Sequence, residues 1–126
     1  MVKILVAEDD PDIRDLLTFT LQFAGYEVKS VNNGEDAIRL ARRDDPDLIL
    51  LDVRMPRMTG YEACSLIRAD PMLAHIPILF LSAKGQDSEI LAGLNVGAEE
   101  YLVKPFVPDQ LTQRIRDVLK KHGKVI

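Results

Sequence analysis

Four groups of polar side chains in this sequence follow short apolar segments. Glu8-Asp9-Asp10 comes directly after an apolar run that ends at Ala7, and Asp52 follows a run of leucine and isoleucine. Ser82 and Lys104 end or follow two further apolar runs. Carboxylates can bind a divalent cation or act as nucleophiles, whereas a hydroxyl or an ammonium group can donate hydrogen bonds to an anion. The residue types therefore suit the chemistry of an anionic group held beside a cation.

These groups converge only if the chain folds as an open parallel sheet, because such sheets bind ligands at the carboxyl ends of their strands. With strand order 2-1-3-4-5, the first and third strands are neighbours, and Glu8, Asp9 and Asp52 meet. Crowded carboxylates repel one another, so at least one pKa should rise unless cations offset the charge. Oxygen ligands in a small acidic cleft suit Mg²⁺, and Lys104 can supply a second positive charge.

Each residue also has an ordinary structural explanation. Asp10 before Pro11 is predicted to cap a helix, Ser82 could cap the next turn, and a lysine before a proline is usually a loop residue. A single aspartate at the end of a strand is weak evidence of a site. The convergence of four strand ends, rather than any one residue, is what favours a functional site.

The elements that must position these residues are visible as alternating patterns. Short apolar runs predict five strands, at residues 2–7, 26–31, 47–51, 76–81 and 100–103. Amphipathic segments between them predict five helices, four of them over about 11–24, 60–69, 86–95 and 109–121, and the second one beginning at Asn33 or Gly34. The first helix is predicted to bury one stripe, made of Ile13, Leu16, Leu17, Thr20 and Leu21. Such alternation predicts an α/β fold with a parallel sheet covered on both faces.

Composition limits the classes of protein that fit. The 126 residues suit one domain, 1–126, and 20 acidic against 16 basic residues give a net charge of -4. This charge argues against direct nucleic-acid binding, which needs a basic surface. No apolar stretch approaches the roughly 20 residues that span a bilayer, so we expect no membrane contact and a cytoplasmic location. The lone Cys64 fits a reducing compartment and is predicted to be a core residue.

The chain resembles the receiver domain of bacterial two-component response regulators over essentially its whole length. Four segments carry the resemblance, in order and at normal spacing: Ile4-Leu-Val-Ala-Glu-Asp-Asp10, Leu50-Leu-Asp-Val-Arg-Met-Pro56 with Gly60, Phe80-Leu-Ser-Ala83, and Tyr101-Leu-Val-Lys-Pro-Phe106. Each segment alone is modestly specific, but together they are highly specific. The resemblance implies a flavodoxin-like, doubly wound sheet of five parallel strands in the order 2-1-3-4-5, with five helices.

The resemblance also implies roles for the acidic cluster. Asp52 would accept a phosphoryl group from a sensor histidine kinase or a phosphotransfer protein. Glu8 and Asp9 would hold Mg²⁺, helped by Asp52 and the backbone carbonyl of Arg54, and Lys104 would take the place of the family's lysine. A receiver of this kind is a switch rather than an enzyme, with at most slow self-dephosphorylation.

Ser82 and Tyr101 take the family's two switch positions. The Ser82 hydroxyl would move toward the phosphoryl group and free space for Tyr101 to turn inward. This would alter the surface formed by the fourth helix, fifth strand and fifth helix. That surface would bind an unknown downstream protein or output domain. A homodimer through the same surface is also compatible with the resemblance. Tyr101 is equally well explained as a half-buried strand residue. Arg54 and Lys84, which flank the site, are interpreted either as solvated loop residues or as residues that tune the lifetime of the phosphoryl group.

Two other classes of protein place an acidic or phosphate-binding site on a similar sheet. Phosphohydrolases with an aspartate nucleophile usually carry a second aspartate two residues later, where this chain has Arg54. A flavin or nucleotide carrier needs a glycine-rich or hydroxyl-rich loop after the first strand. The acidic stretch from Glu8 to Asp12 would repel phosphate unless a metal is bound. Both alternatives are therefore disfavoured.

Overall fold

Five strands and four helices alternate in the computed structural model, which describes residues 1–82, 97–104 and 107–124. The strands are β1 (Lys3–Ala7), β2 (Glu27–Val31), β3 (Leu48–Asp52), β4 (Ile78–Ser82) and β5 (Glu100–Val103). The helices are α1 (Pro11–Phe23), α2 (Gly34–Asp44), α3 (Gly60–Ala69) and α4 (Pro108–Lys121). The helix predicted over 86–95 lies outside the described residues, so the fifth helix stays a prediction.

The strands form one parallel sheet in the order β2-β1-β3-β4-β5, as predicted. Every residue of β3 and β4 is buried, because parallel strands at the centre of a sheet are covered on both faces and read as continuous apolar runs. The chain adds β2 on one side of β1 and then β3, β4 and β5 on the other side, so the order in which strands are added reverses between β1 and β3. The carboxyl ends of these two strands are therefore neighbours, at the point where α/β sheets of this kind form their clefts.

Two apolar clusters cover the two faces of the sheet. One lies beneath α2 and α3, and includes Ala37, Ile38, Cys64, Ile67 and Phe80. The other lies beneath α1 and α4, and includes Leu17, Leu21, Leu111, Ile115 and Val118. Cys64 is fully buried, and burial raises the pKa of its thiol to about 11, so the prediction of a core cysteine is confirmed.

Local capping signals mark both ends of α1 and the start of α3. The Asp10 carboxylate accepts hydrogen bonds from the backbone N–H groups of Asp12 and Ile13, which confirms that Asp10 is the N-cap of α1. Gly25 follows that helix with φ of 99°, a left-handed conformation that glycine adopts at low cost. At α3, Thr59 and Glu62 form a reciprocal capping box.

The predicted buried stripe of α1 is too wide. Leu17 and Leu21 are buried, but Leu16 is 48% exposed and Thr20 is only partly buried. The helix rests on the sheet along a narrow line, and Leu16 points away from that line. The described helices include none long and apolar enough to cross a membrane.

Candidate functional site

Three carboxylates meet where β1 and β3 end. Glu8 and Asp9 follow β1 directly, Asp52 is the last residue of β3, and Ala7 pairs with Leu51 in the sheet. One carboxylate oxygen from each of Glu8, Asp9 and Asp52 lies within 4.8 Å of the other two. Glu8 and Asp52 are buried, whereas Asp9 is exposed. The cluster is therefore open to solvent on the side of Asp9.

Lys104 reaches this cluster from the end of β5. Its Nζ lies 2.5 Å from Oε1 of Glu8 and 3.3 Å from Oδ1 of Asp52. The backbone N–H of Lys104 donates to the carbonyl of Ser82 at 2.6 Å, which ties the lysine to the end of β4. The sequence predicted that Lys104 joins the site, but not that the buried Glu8 is its nearer partner.

The charges in the site perturb one another. Burial, together with the hydrogen bond and the negative charge of Glu8, raises the pKa of Asp52 to about 8 against a partial opposing effect of Lys104. Burial acts to lower the pKa of Lys104, but its contacts with Glu8 and Asp52 raise it overall. The predicted rise of at least one carboxyl pKa is thus found at Asp52. Without a further cation, this carboxyl holds a proton through much of the neutral range.

Glu8 is held in place from two directions. The backbone N–H of Asp10 donates to Oε2 of Glu8 at 3.2 Å, and Nη1 of Arg14 donates to the Glu8 carbonyl oxygen at 2.9 Å. The Glu8 backbone N–H donates to the carbonyl of Val31 at 3.0 Å. Arg14 had no predicted role, because its contact requires the first turn of α1 to fold back over the end of β1.

Gly60 lets α3 begin against the backbone of the strand that carries Asp52. Its N–H donates to the carbonyl of Val53 at 2.9 Å. A Cβ at this position would lie 2.3 Å from the Asp52 carbonyl oxygen and 3.0 Å from its carbonyl carbon, too close for any side chain. The sequence singled out Gly60 only as part of a motif, and the contact explains why a glycine is needed there.

The remaining predicted site residues lie in different surroundings. Ser82, which is buried, and Arg54, which is exposed, line the same cleft as the carboxylates. Tyr101 is partly buried against the cluster beneath α2 and α3, with its ring centroid 6.3 Å from that of Phe80. This agrees with the half-buried strand residue that the sequence allowed. Lys84 lies outside the described residues.

The arrangement has a definite chemical capacity. Three carboxylates offer only oxygen donors, which suit a hard divalent cation, and the exposed side of the cluster leaves room for water ligands. Asp52 combines a nucleophilic oxygen with a neighbouring ammonium group on Lys104, and the Ser82 hydroxyl lines the same cleft. Such a site can bind a cation and neutralise an anionic group attached to Asp52.

The sequence matches the family model of the response regulator receiver domain over residues 4–116. It is 42% identical, over 123 residues, to the probable transcriptional regulator ycf27 of Porphyra purpurea, and this alignment covers 98% of the chain and 49% of that protein. The chain spans about half the length of the curated relatives it matches.

Solved structures give the same result for the fold. A putative response regulator from Chloroflexus aurantiacus superposes with a TM-score of 0.91 at 36% identity, covering 94% of this chain and 98% of that one. The receiver domain of the sensor histidine kinase PA1611 from Pseudomonas aeruginosa, which has a magnesium ion coordinated in its active-site cleft, superposes with a TM-score of 0.89 at 33% identity over the same fractions. The chain therefore belongs to the response regulator receiver domain family of two-component signalling.

Proposed function

We propose that residues 1–126 form a single receiver domain that accepts a phosphoryl group on Asp52 in a Mg²⁺-dependent reaction. The donor would be a sensor histidine kinase or a phosphotransfer protein, and the phosphorylated domain would change its binding to a downstream protein or output domain. One observation carries this proposal: the nucleophilic carboxylate of Asp52 lies within 4.8 Å of two further carboxylates and 3.3 Å from the ammonium group of Lys104.

The reaction would be a direct transfer. An oxygen of the ionised Asp52 carboxylate forms a bond to phosphorus, and the bond from phosphorus to the donor's histidine nitrogen breaks. The leaving imidazole keeps the electron pair of that bond and takes up a proton from solvent. Because the pKa of Asp52 is raised to about 8 without a cation, the nucleophilic form needs added positive charge at neutral pH.

Glu8, Asp9, Asp52 and the backbone carbonyl of Arg54 would hold the Mg²⁺ ion. The fit rests on the donor set, since all three side chains offer oxygen and the exposed Asp9 opens the cluster to water. When bound, Mg²⁺ would keep Asp52 ionised and offset the charge of the phosphoryl oxygens. Lys104, already paired with Glu8 and Asp52, would donate to one of those oxygens.

Ser82 and Tyr101 would pass the change to the surface. A phosphoryl group adds negative charge and strong acceptors, to which the Ser82 hydroxyl would donate. Tyr101 lies one strand further out, with its ring already against Phe80 of β4, so a displacement at the end of β4 would reach it. The responding surface would combine the helix predicted over 86–95, β5 and α4.

Phosphorylation by a small donor tests the proposal directly. Wild type incubated with Mg²⁺ and acetyl phosphate is expected to gain the mass of one phosphoryl group, measured by intact-protein mass spectrometry. Asp52→Asn should gain none, and EDTA should prevent the gain in wild type. Asp117→Asn, an exposed acidic residue on α4, serves as the control and should label like wild type. Equal labelling of wild type and Asp52→Asn, or repeated turnover of a generic phosphate ester, would overturn the proposal.

Arg54 and Lys84 would set how long the phosphoryl group persists. Arg54 is an exposed residue of the cleft, where a basic side chain can obstruct or steer the attacking water. We expect Arg54→Ala and Lys84→Ala to change the rate at which the phosphoryl mass is lost by about threefold or more, or roughly 0.7 kcal/mol in activation free energy. Rates equal to that of wild type would show that both are solvated loop residues.

A further inference from the structure

Gly34 begins α2, although glycine weakens a helix relative to alanine. Its backbone does not adopt the left-handed conformation that favours glycine, so the local geometry does not explain the choice. A Cβ at this position would lie 2.7 Å from the carbonyl oxygen of Met58, 2.9 Å from its Cβ and 3.1 Å from its Cγ. The absence of a side chain therefore allows a close contact between α2 and the segment that contains Met58.

Met58 lies in the loop that joins β3 to α3, which we define as the acceptor loop, residues 53–59. The loop turns sharply at Arg57, which has a φ of 66°, and the Met58 N–H donates to the Pro56 carbonyl at 2.7 Å. Three-residue turns with positive φ are rare and strained, so neighbouring contacts are needed to hold this turn closed. Met58 supplies two of them, because its side chain packs against the apolar cluster beneath α2 and α3 and its backbone rests on Gly34.

Both directions along the acceptor loop lead from Met58 to a proposed metal ligand. Arg54, whose carbonyl would bind Mg²⁺, lies four residues before Met58, with the rigid Pro56 between them. Gly60 lies two residues after Met58, and its contact with the Asp52 carbonyl oxygen leaves no room for movement toward that strand. A displacement of Met58 would therefore move either the Arg54 carbonyl or the backbone of Asp52.

Helix α2 cannot easily yield in place of the loop. Its N-cap, Asn33, is 2% exposed, and the Asn33 Oδ1 accepts from the Asp36 N–H at 2.8 Å. The Asn33 Nδ2 donates to Oδ1 of Asn32 at 2.8 Å and to Oδ2 of Asp36 at 2.9 Å. Further along the helix, Ala37 and Ala41 are fully buried. A methyl group added at the start of α2 would therefore press on the acceptor loop rather than lift the helix.

We propose that Gly34 is a positioning residue for the Mg²⁺ site, an inference that rests on the proposed function. Its lack of a side chain lets the acceptor loop close against α2 and so sets the positions of the Arg54 carbonyl and of Asp52. A methyl group at residue 34 needs about 3.4 Å to the Met58 carbonyl oxygen and has 2.7 Å, so the loop would move by about 0.7 Å. Mg²⁺ demands near-ideal octahedral geometry with oxygens at about 2.0–2.1 Å, and a shift of this size would weaken its binding.

The size of the cation separates a displaced site from a protein that is only less stable. Ca²⁺ accepts oxygens at about 2.3–2.6 Å in a flexible arrangement, so a slightly widened site should still bind it. We expect Gly34→Ala to raise the Kd for Mg²⁺ about tenfold, and the Kd for Ca²⁺ by less than about threefold. Titration with each cation, followed by the melting temperature and without phosphodonor, measures both Kd values.

Gly123→Ala is the matched control. Gly123 has a φ of 74°, and a Cβ placed there would have nothing within 4 Å, so alanine strains the backbone without displacing a neighbour. It follows α4 at the edge of the sheet opposite the carboxylates, where Lys124 pairs with Asp47 just before β3. This variant should lose stability and keep the wild-type Kd for both cations. An equal rise of the Mg²⁺ Kd in Gly123→Ala would show that destabilisation alone weakens binding, and would overturn the proposal.

Removal of the Met58 side chain tests the contact itself. Met58→Gly eliminates two of the three atoms that Gly34→Ala would crowd, and glycine lets the peptide around the third one adjust. In this background Gly34→Ala should raise the Mg²⁺ Kd by only about twofold to threefold, because substitutions at contacting residues are not additive. An undiminished effect would place its cause outside the acceptor loop and overturn the proposal. If Gly34→Ala alone fails to fold, the comparison is made in this background, where an unchanged Kd would overturn the proposal.

The titrations also separate this inference from the proposed function. A wild type that binds no Mg²⁺ would overturn both, since there would be no metal site to position. A wild type that binds Mg²⁺ and is labelled by acetyl phosphate, together with a Gly34→Ala protein of the same Mg²⁺ Kd, would overturn only the role of Gly34. A Kd for Ca²⁺ raised as much as that for Mg²⁺ would also overturn it, because the site would then be lost rather than widened.

Discussion

At the scale of single residues, the pair formed by Asp52 and Lys104 decides what the site can do. A buried carboxylate beside Glu8 keeps a pKa of about 8, so in the absence of a cation it is a poor nucleophile at neutral pH. Lys104 offsets part of that effect but is shared with Glu8. The ammonium group of Lys104 is therefore divided between two carboxylates of a cluster of three, and a divalent cation would reduce this imbalance of charge.

The raised pKa of Asp52 predicts how stability depends on pH. The unfolded chain releases the Asp52 proton near pH 4, whereas the folded chain holds it until about pH 8. Between these values the folded state binds more protons, so rising pH favours unfolding. Asp52→Asn has no carboxyl proton to release at this position. In EDTA it should therefore keep its stability as the pH rises and be more stable than wild type at pH 8. We expect a difference of about 2–4 kcal/mol in the free energy of unfolding, because the ion pair with Lys104, which asparagine cannot form, offsets part of the gain.

Urea unfolding at pH 5 and pH 8 measures the effect. The difference between wild type and Asp52→Asn should be small at pH 5 and large at pH 8. Asp117→Asn, on the exposed side of α4, should follow wild type at both values. If wild type and Asp52→Asn respond equally to pH, the carboxyl of Asp52 has an ordinary pKa and the charge imbalance described above is wrong.

At the scale of elements, α3 begins in direct contact with the strand that carries Asp52. Gly60→Ala would place a Cβ 2.3 Å from the Asp52 carbonyl oxygen, and backbone atoms cannot yield as a flexible side chain can. We expect a loss of about 2 kcal/mol in the free energy of unfolding, in the range for overpacking. Because the displaced backbone belongs to Asp52, labelling by acetyl phosphate should slow as well.

A substitution elsewhere in α3 provides the comparison. Ser65→Ala changes an exposed residue of the same helix and should alter stability by less than about 0.5 kcal/mol. Urea denaturation of both variants against wild type measures the difference. A Gly60→Ala protein as stable as wild type would mean that α3 shifts freely, and the close contact would then have no role in positioning Asp52.

Much of the element structure could be predicted from the sequence. Five apolar runs gave strands in the right order along the chain, and β5 is found at the predicted residues, 100–103. The starts of β1 to β4 were set one or two residues too early. At β2 and β4 the reason is that Tyr26 and Ile76 are buried before the ladder begins. Apolar character reports burial, whereas a strand boundary depends on backbone pairing with a neighbour.

At the scale of the whole molecule, the site links separate parts of the fold. Glu8 and Asp9 follow β1 and Asp52 ends β3, so a cation held by these carboxylates would connect elements that are far apart in sequence. Lys104 joins the end of β5 to the same cluster through its ion pairs with Glu8 and Asp52. A ligand that binds only the folded state stabilises it by mass action. Binding of Mg²⁺ should therefore be visible as resistance of the entire domain to unfolding.

The melting temperature should rise with Mg²⁺ and saturate. At tenfold its Kd, Mg²⁺ adds about 1.4 kcal/mol, or roughly 5 °C for a domain of this size. Asp9→Asn should abolish the rise while leaving the metal-free melting temperature almost unchanged, because Asp9 is exposed. Asp117→Asn should keep the full rise. An equal rise in Asp9→Asn would show that Mg²⁺ acts elsewhere on the protein.

The sequence by itself determined the class of fold, the N-cap of α1, and the residue types that the site requires. These features depend on local patterns, which the order of residues records directly. Only the tertiary structure decided that Glu8 is buried against Lys104 while its neighbour Asp9 faces solvent. It also decided that Phe19 and Phe23 have no cover among the described residues. Adjacent carboxylates or apolar residues are chemically alike in sequence, and their environment depends on which distant elements pack beside them.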